Sequence, residues 1–84
     1  MLGDHSLEIP AAFGKVLRRH RLAAGLSQEQ LGLEAGVQRN FISLIELGQN
    51  QPTISTIIKL AWALKLSAQQ LIGETETELR ANAG

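Results

Sequence analysis

Leu26-Ser27-Gln28-Glu29-Gln30-Leu31, then Gly36-Val37, then Gln38-Arg39-Asn40-Phe41-Ile42-Ser43-Leu44-Ile45-Glu46 is the stretch on which the fold turns. Ser27 is a strong N-cap: its hydroxyl accepts from a backbone N–H of the first turn that has no partner inside the helix. Gln30, three residues on, is placed to return that bond and close a capping box, while Leu26 and Leu31 occupy the two positions of a hydrophobic staple. A helix therefore starts at a defined residue. Gly36 adopts a left-handed conformation at a helix end without a Cβ penalty, so the chain stops, turns and launches a second helix within a few residues. The spacing predicts two short helices, 28–35 and 38–47, set at an angle by a glycine turn, the second free to project from the body.

Upstream, Pro10 suits the first turn of a helix, and Phe13, Val16, Leu17 and Ala24 recur at helical spacing until Gly25 ends the segment. Downstream, Gln49-Asn50-Gln51-Pro52 is a polar loop and Thr53 an N-cap for a fourth helix, whose Ile54, Ile57, Ile58, Ala61 and Leu64 read as one core stripe. Leu66-Ser67-Ala68-Gln69-Gln70-Leu71 repeats the layout of 26–31, which predicts a fifth short helix from Ser67 to about Gly73. Three units follow: a leader at 1–9, one domain at 10–73, and a tail at 74–84, expected to be frayed helix or disordered because it holds too little apolar surface to pack. No stretch alternates with period two, so the fold is expected to be all-α, with five helices joined by short loops.

Composition excludes several kinds of chemistry. The 84 residues contain no cysteine and two histidines, so neither a disulfide framework nor a thiolate metal site is expected, and no cofactor or metal is called for. No Ser-His-acid arrangement, phosphate-cradling glycine loop or carboxylate pair in a cleft is apparent, so an enzyme is not expected. No apolar run reaches the roughly 20 residues needed to cross a bilayer, and 1–8 lacks a signal-peptide pattern; a cytoplasmic location without membrane partners is expected. Net charge is zero. Between Pro10 and Gly73, however, seven basic residues stand against three acids. A modestly basic core with acidic flanks is compatible with binding phosphates, but ordinary surface charge accounts for it equally well, and charge alone decides nothing here.

Counted from Gln28 as the first position of a helix-turn-helix unit, Leu31 is fourth, Gly32 fifth, Ala35 eighth, Gly36 ninth, Val37 tenth, Ile42 fifteenth and Ile45 eighteenth. This pattern resembles the XRE family of Cro and phage-repressor-like regulators. The similarity runs from about Phe13 through Ile72 and includes Ile42-Ser43-Leu44-Ile45-Glu46-Leu47-Gly48 and Pro52-Thr53-Ile54. The resemblance implies a five-helix, lambda-repressor-like DNA-binding domain with the helix-turn-helix at helices two and three. Two departures stand out. Gly32 replaces a common alanine, which keeps helix clearance but costs about 1 kcal/mol of helix propensity. Gln38 replaces a common Ser or Thr cap and the loop at 47–51 lacks the usual Arg or Lys, which implies weaker phosphate affinity than in basic relatives.

On the third helix, Phe41, Ile42, Leu44 and Ile45 sort toward the core, leaving Gln38, Arg39, Asn40, Ser43 and Leu47 toward solvent. The resemblance implies that Gln38, Arg39, Asn40 and Ser43 meet the major groove, where Arg takes both guanine acceptors and Asn or Gln pairs bidentately with adenine; Leu47 is placed to touch a thymine methyl or simply to sit exposed, and exposure is the reading favoured. Gln28 opens the second helix, where unpaired N–H groups favour an anion, and the resemblance assigns it a DNA phosphate over a plain surface role. Gln49, Asn50 and Gln51 are placed to donate to phosphate, or equally to serve as an ordinary polar turn. Lys15, Arg18 and Arg19 read as solvated surface. Arg21 falls four residues after Leu17 and eight after Phe13, so it turns inward and needs a partner; in the resembling family it pairs with the residue at Glu46, clamping the first helix to the third.

Trp62 is expected on the side of helix four away from Ile54, Ile58 and Ala61. With Leu66, Ala68, Leu71 and Ile72 it is expected to form an apolar patch that joins two copies, since paired readers match half-sites about one DNA turn apart. The function expected is a sequence-specific regulator that binds a palindromic operator in double-stranded DNA as a homodimer, of repressor, restriction-modification controller or antitoxin type, with no small-molecule ligand. A protein-interaction module that keeps the scaffold without binding DNA is the second reading, favoured by the zero net charge and the uncharged loop.

Overall fold

Hydroxyl caps set three of the helix starts. Gln30 N donates to Ser27 Oγ at 3.0 Å, Thr56 N to Thr53 Oγ1 at 3.2 Å and Gln70 N to Ser67 Oγ at 3.0 Å. At Ser27 the box is complete, because Gln30 Oε1 accepts from Ser27 N at 2.8 Å. A computed structural model describes residues 8–83 and divides them into α1 (Ile9–Ala23), α2 (Gln28–Ala35), α3 (Arg39–Glu46), α4 (Ile54–Ala63) and α5 (Ala68–Ala83). No strand occurs among the described residues, so the fold is all-α with five helices, the architecture that the resemblance implies.

The turn between α2 and α3 is made by Gly36 at φ 70°, with its N–H bonded to the Gly32 carbonyl. Gly32 is required by a close approach. A Cβ there would collide with the carbonyl oxygen of Val37, so the chain leaving the turn crosses directly over α2. Phe13, Val16 and Leu17 of α1, Leu31 of α2, Ile42 and Ile45 of α3, Leu60 of α4 and Leu71 of α5 are sealed from water in one core. Each such side chain contributes about 1.5–3 kcal/mol by leaving water.

Several expectations change. Helix five does not stop near Gly73, and the tail at 74–83 is neither frayed nor disordered: α5 runs on to Ala83. Leu71 anchors α5 in the core, and the stretch beyond Gly73 is tied to α1 by polar contacts. Glu74 accepts from Arg19 Nη2 at 3.0 Å and meets His20 Nε2 at 2.8 Å, Glu78 lies 3.5 Å from Arg19 Nη1, and Thr75, nearly buried, donates to the Leu71 carbonyl at 2.8 Å. The Gln70 amide turns to Glu74 at 3.1 Å. The leader falls largely outside the described residues, and Ile9 is already helical.

Helix four is apolar on two sides. Ile57, Leu60, Ala61 and Leu64 face the core, whereas Ile54 is 76% exposed and Trp62 71% exposed. Ile54, Ile58 and Trp62 are four residues apart, so Trp62 shares a stripe with the two isoleucines instead of opposing them. Leu71, assigned to the outer patch, is a core residue with no exposure, because it faces α1 and α4 from the inner side of α5. Leu66 and Ala68 are half-buried against the core, and Ile72 remains on the surface.

Candidate nucleic-acid interface

α3 is eight residues long and buries only Ile42 and Ile45 fully. Its N-cap, Gln38, has extended backbone and makes no side-chain cap bond, leaving the amide free to point outward. Gln38, Arg39 and Asn40 are all exposed at this end of the helix, and Ser43 is half-buried one turn later. Leu44 departs from expectation: it lies four residues after Asn40 and is 37% exposed, at the border of the outward face rather than in the core. Arg39 makes no ion pair among the described residues. It borders a polar hollow with Ser27, Gln28 and Glu29 at the start of α2.

The opposite edge of α3 is fixed by a buried ion pair. Arg21 Nε donates to Glu46 Oε2 at 2.6 Å and Arg21 Nη2 to Glu46 Oε1 at 2.9 Å, a two-pronged contact between side chains only 9% and 3% exposed. Arg21 Nη1 also donates to the Leu26 carbonyl at 2.8 Å. The bonds to Glu46 raise the guanidinium pKa further above its ordinary value, against the opposing effect of burial. Every buried side-chain polar atom among the described residues has a partner. One ion pair thus ties the end of α1, the entry to α2 and the end of α3 together, so the outward face of α3 is held by a rigid frame.

Gln28, expected on a phosphate, donates through Nε2 to Glu46 Oε1 at 3.1 Å and is half-buried. It is a third strut of the same network. Sequence spacing gave no sign of this, because its partner lies on another helix. Gln49 and Gln51 are exposed and Asn50 half-buried in the loop after α3, where Gln49 N bonds to the Leu44 carbonyl at 2.9 Å. Among the described residues no cluster of His, Asp or Glu could hold a metal, and no helix is long and apolar enough to cross a membrane.

A short helix projecting from a turn, braced from behind and polar along its leading edge, defines a helix-turn-helix protein. The Helix-turn-helix family (HTH_3) matches residues 17–71, and the chain belongs to it: it is an XRE-type, DNA-binding transcriptional regulator, of a family that is not enzymatic. It is similar to the control protein C.SmaI of Serratia marcescens, with 35% identity over 66 residues that cover 79% of each chain. Among solved structures it is similar to the restriction-modification controller protein C.AhdI of Aeromonas hydrophila, with 39% identity and a TM-score of 0.72 over 74% of this chain and 94% of that one. The clp gene regulator ClgR of Corynebacterium glutamicum superposes with a TM-score of 0.85 over 89% of this chain and 80% of that one, at 21% identity, a likeness of fold alone.

Proposed function

We propose that this protein reads a two-fold operator as a homodimer in the cytoplasm, inserting α3 of each copy into the major groove, and that it controls a restriction-modification system. The observation that carries the reading is the exposed edge Gln38-Arg39-Asn40 on a helix locked by the Arg21–Glu46 pair. Arg39 suits a guanine and Asn40 an adenine, with Gln38 and Ser43 flanking them. Phosphate contacts come from the start of α2 beside Gln28 and from Gln49, Asn50 and Gln51. The DNA-binding unit comprises all five helices, since α5 continues past Gly73 and is bonded to α1 there.

Homodimerisation is supported by the second apolar stripe of α4. Ile54 and Trp62 of α4 and Ile72 of α5 are left exposed by the monomer, and Ile54, Ile58 and Ile72 line one groove between the two helices; of the residues expected at this interface, Trp62 and Ile72 are exposed and Leu66 and Ala68 half-buried. The controller role is favoured over repressor or antitoxin by the control proteins among its relatives.

Selection of bound duplexes from a random pool, followed by sedimentation of the free and bound protein, tests this. The expected result is an inverted repeat with half-sites about one helical turn apart and two chains per duplex. Recovery of no preferred sequence, or a protein that stays monomeric at high concentration with and without DNA, overturns it.

A further inference from the structure

The outward face of α3 changes character along its length. Its first turn is polar, while its last presents Leu44, 37% exposed, and Leu47, 64% exposed. Leu44 stands one turn beyond Asn40 and Leu47 three residues further, so the three side chains form a continuous line. The backbone holds Leu47 in helical register, with φ −79°, ψ −4° and its N–H bonded to the Ser43 carbonyl at 3.0 Å. Neither leucine belongs to the core cluster, and both lie on α3 rather than on the apolar stripe of α4.

Leucine offers no donor or acceptor, so these two side chains add nothing to a hydrogen-bonded readout. In the major groove the apolar feature displayed by a base edge is the C5-methyl group of thymine; unmethylated cytosine carries only a hydrogen at C5, beside an N4 amino donor where thymine has the O4 acceptor. A docking that brings Arg39 and Asn40 to base edges carries Leu44 to the bases next along the groove. We propose that Leu44, with Leu47 beside it, selects a 5-methylpyrimidine in each half-site, met as thymine in unmodified DNA. The inference rests on the DNA reading proposed above and adds its specificity: a polar half that recognises hydrogen-bonding edges and an apolar half that recognises a methyl group. The same contact makes binding sensitive to 5-methylation of a cytosine placed there.

The test uses the full chain and the duplex recovered by selection. Each thymine in a half-site is replaced singly by uracil, which removes the methyl and leaves the hydrogen-bonding edge unchanged. One or two positions are expected to weaken wild-type binding about four-fold, the effect of one buried methyl, and L44A is expected to abolish that discrimination, binding the thymine and uracil duplexes equally. L47A, as a second variant, reduces the discrimination in part. At those positions a 5-methylcytosine·guanine pair is expected to bind tighter than cytosine·guanine, which identifies the methyl itself as the feature read. Wild-type affinity indifferent to every uracil substitution, or a methyl effect that survives intact in both L44A and L47A, overturns the inference while leaving DNA reading in place; failure to recover any bound duplex overturns both.

Discussion

Arg21 and Glu46 are the residues where a single atom-level change carries furthest, because each neutralises a charge that the core excludes from water. Arg21→Ala leaves Glu46 buried with only Gln28 as a partner, and the expected loss is about 3–5 kcal/mol, read as a lower urea midpoint with the slope unchanged; a wild-type-like midpoint contradicts the bracing role. Gly32→Ala opposes two effects. Alanine is about 1 kcal/mol better in a helix, but its Cβ meets the Val37 carbonyl, and forcing that contact costs about 1–3 kcal/mol or more. The collision wins, so the variant is expected to melt lower, whereas a higher melting temperature means that the turn can yield. The inward turn of Arg21 was legible in its spacing from Phe13 and Leu17. The role of Gln28 was not, since a position at a helix start does not reveal an acceptor 18 residues away.

Among the elements, α2 and the starts of α4 and α5 were legible because caps act over three residues and are written locally. The run of α5 beyond Gly73 was not: its partners, Arg19 and His20, lie more than 50 residues away, and a tail of Glu and Thr looks unpackable until α1 supplies polar partners. Trp62 was misplaced although its four-residue spacing from Ile58 and Ile54 was available, as was the spacing that sets Leu44 beside Asn40. The α1–α5 contact is sensitive to acid. Hydrogen bonds from His20, then Gln70 and Arg19, lower the pKa of Glu74 to about 2 from an ordinary 4.5. A folded pKa below the unfolded one means that the stabilisation is complete above about pH 4.5 and is lost as pH falls toward 2. Solvent screening limits it to about 1 kcal/mol. Glu74→Gln is expected to flatten that part of the stability-versus-pH curve, and an unaltered curve rules the Glu74 contact out as its source. Lys65, at φ 61° where α4 ends, occupies a conformation suited to glycine; Lys65→Gly is expected to raise stability by about 0.5–1 kcal/mol in thermal melts, and a loss contradicts strain there.

At the scale of the whole molecule, zero net charge conceals a division of labour. Arg21 is matched by Glu46 in the core and Arg19 by Glu74 and Glu78 at the surface, whereas Arg39, beside the entry to α2, has no ion pair among the described residues. Few phosphate contacts follow, so log affinity against log salt is expected to have a shallow negative slope; a slope as steep as that of a strongly basic binder means that contacts lie elsewhere. The central claim is that the leading edge of α3 enters the groove. Amide chemical shifts recorded as the selected duplex is titrated into the full chain test it most directly. The largest changes are predicted at Gln38, Arg39, Asn40, Ser43 and Leu44, with the core of α1 nearly unmoved; changes confined to α4 and α5, with α3 silent, would contradict it.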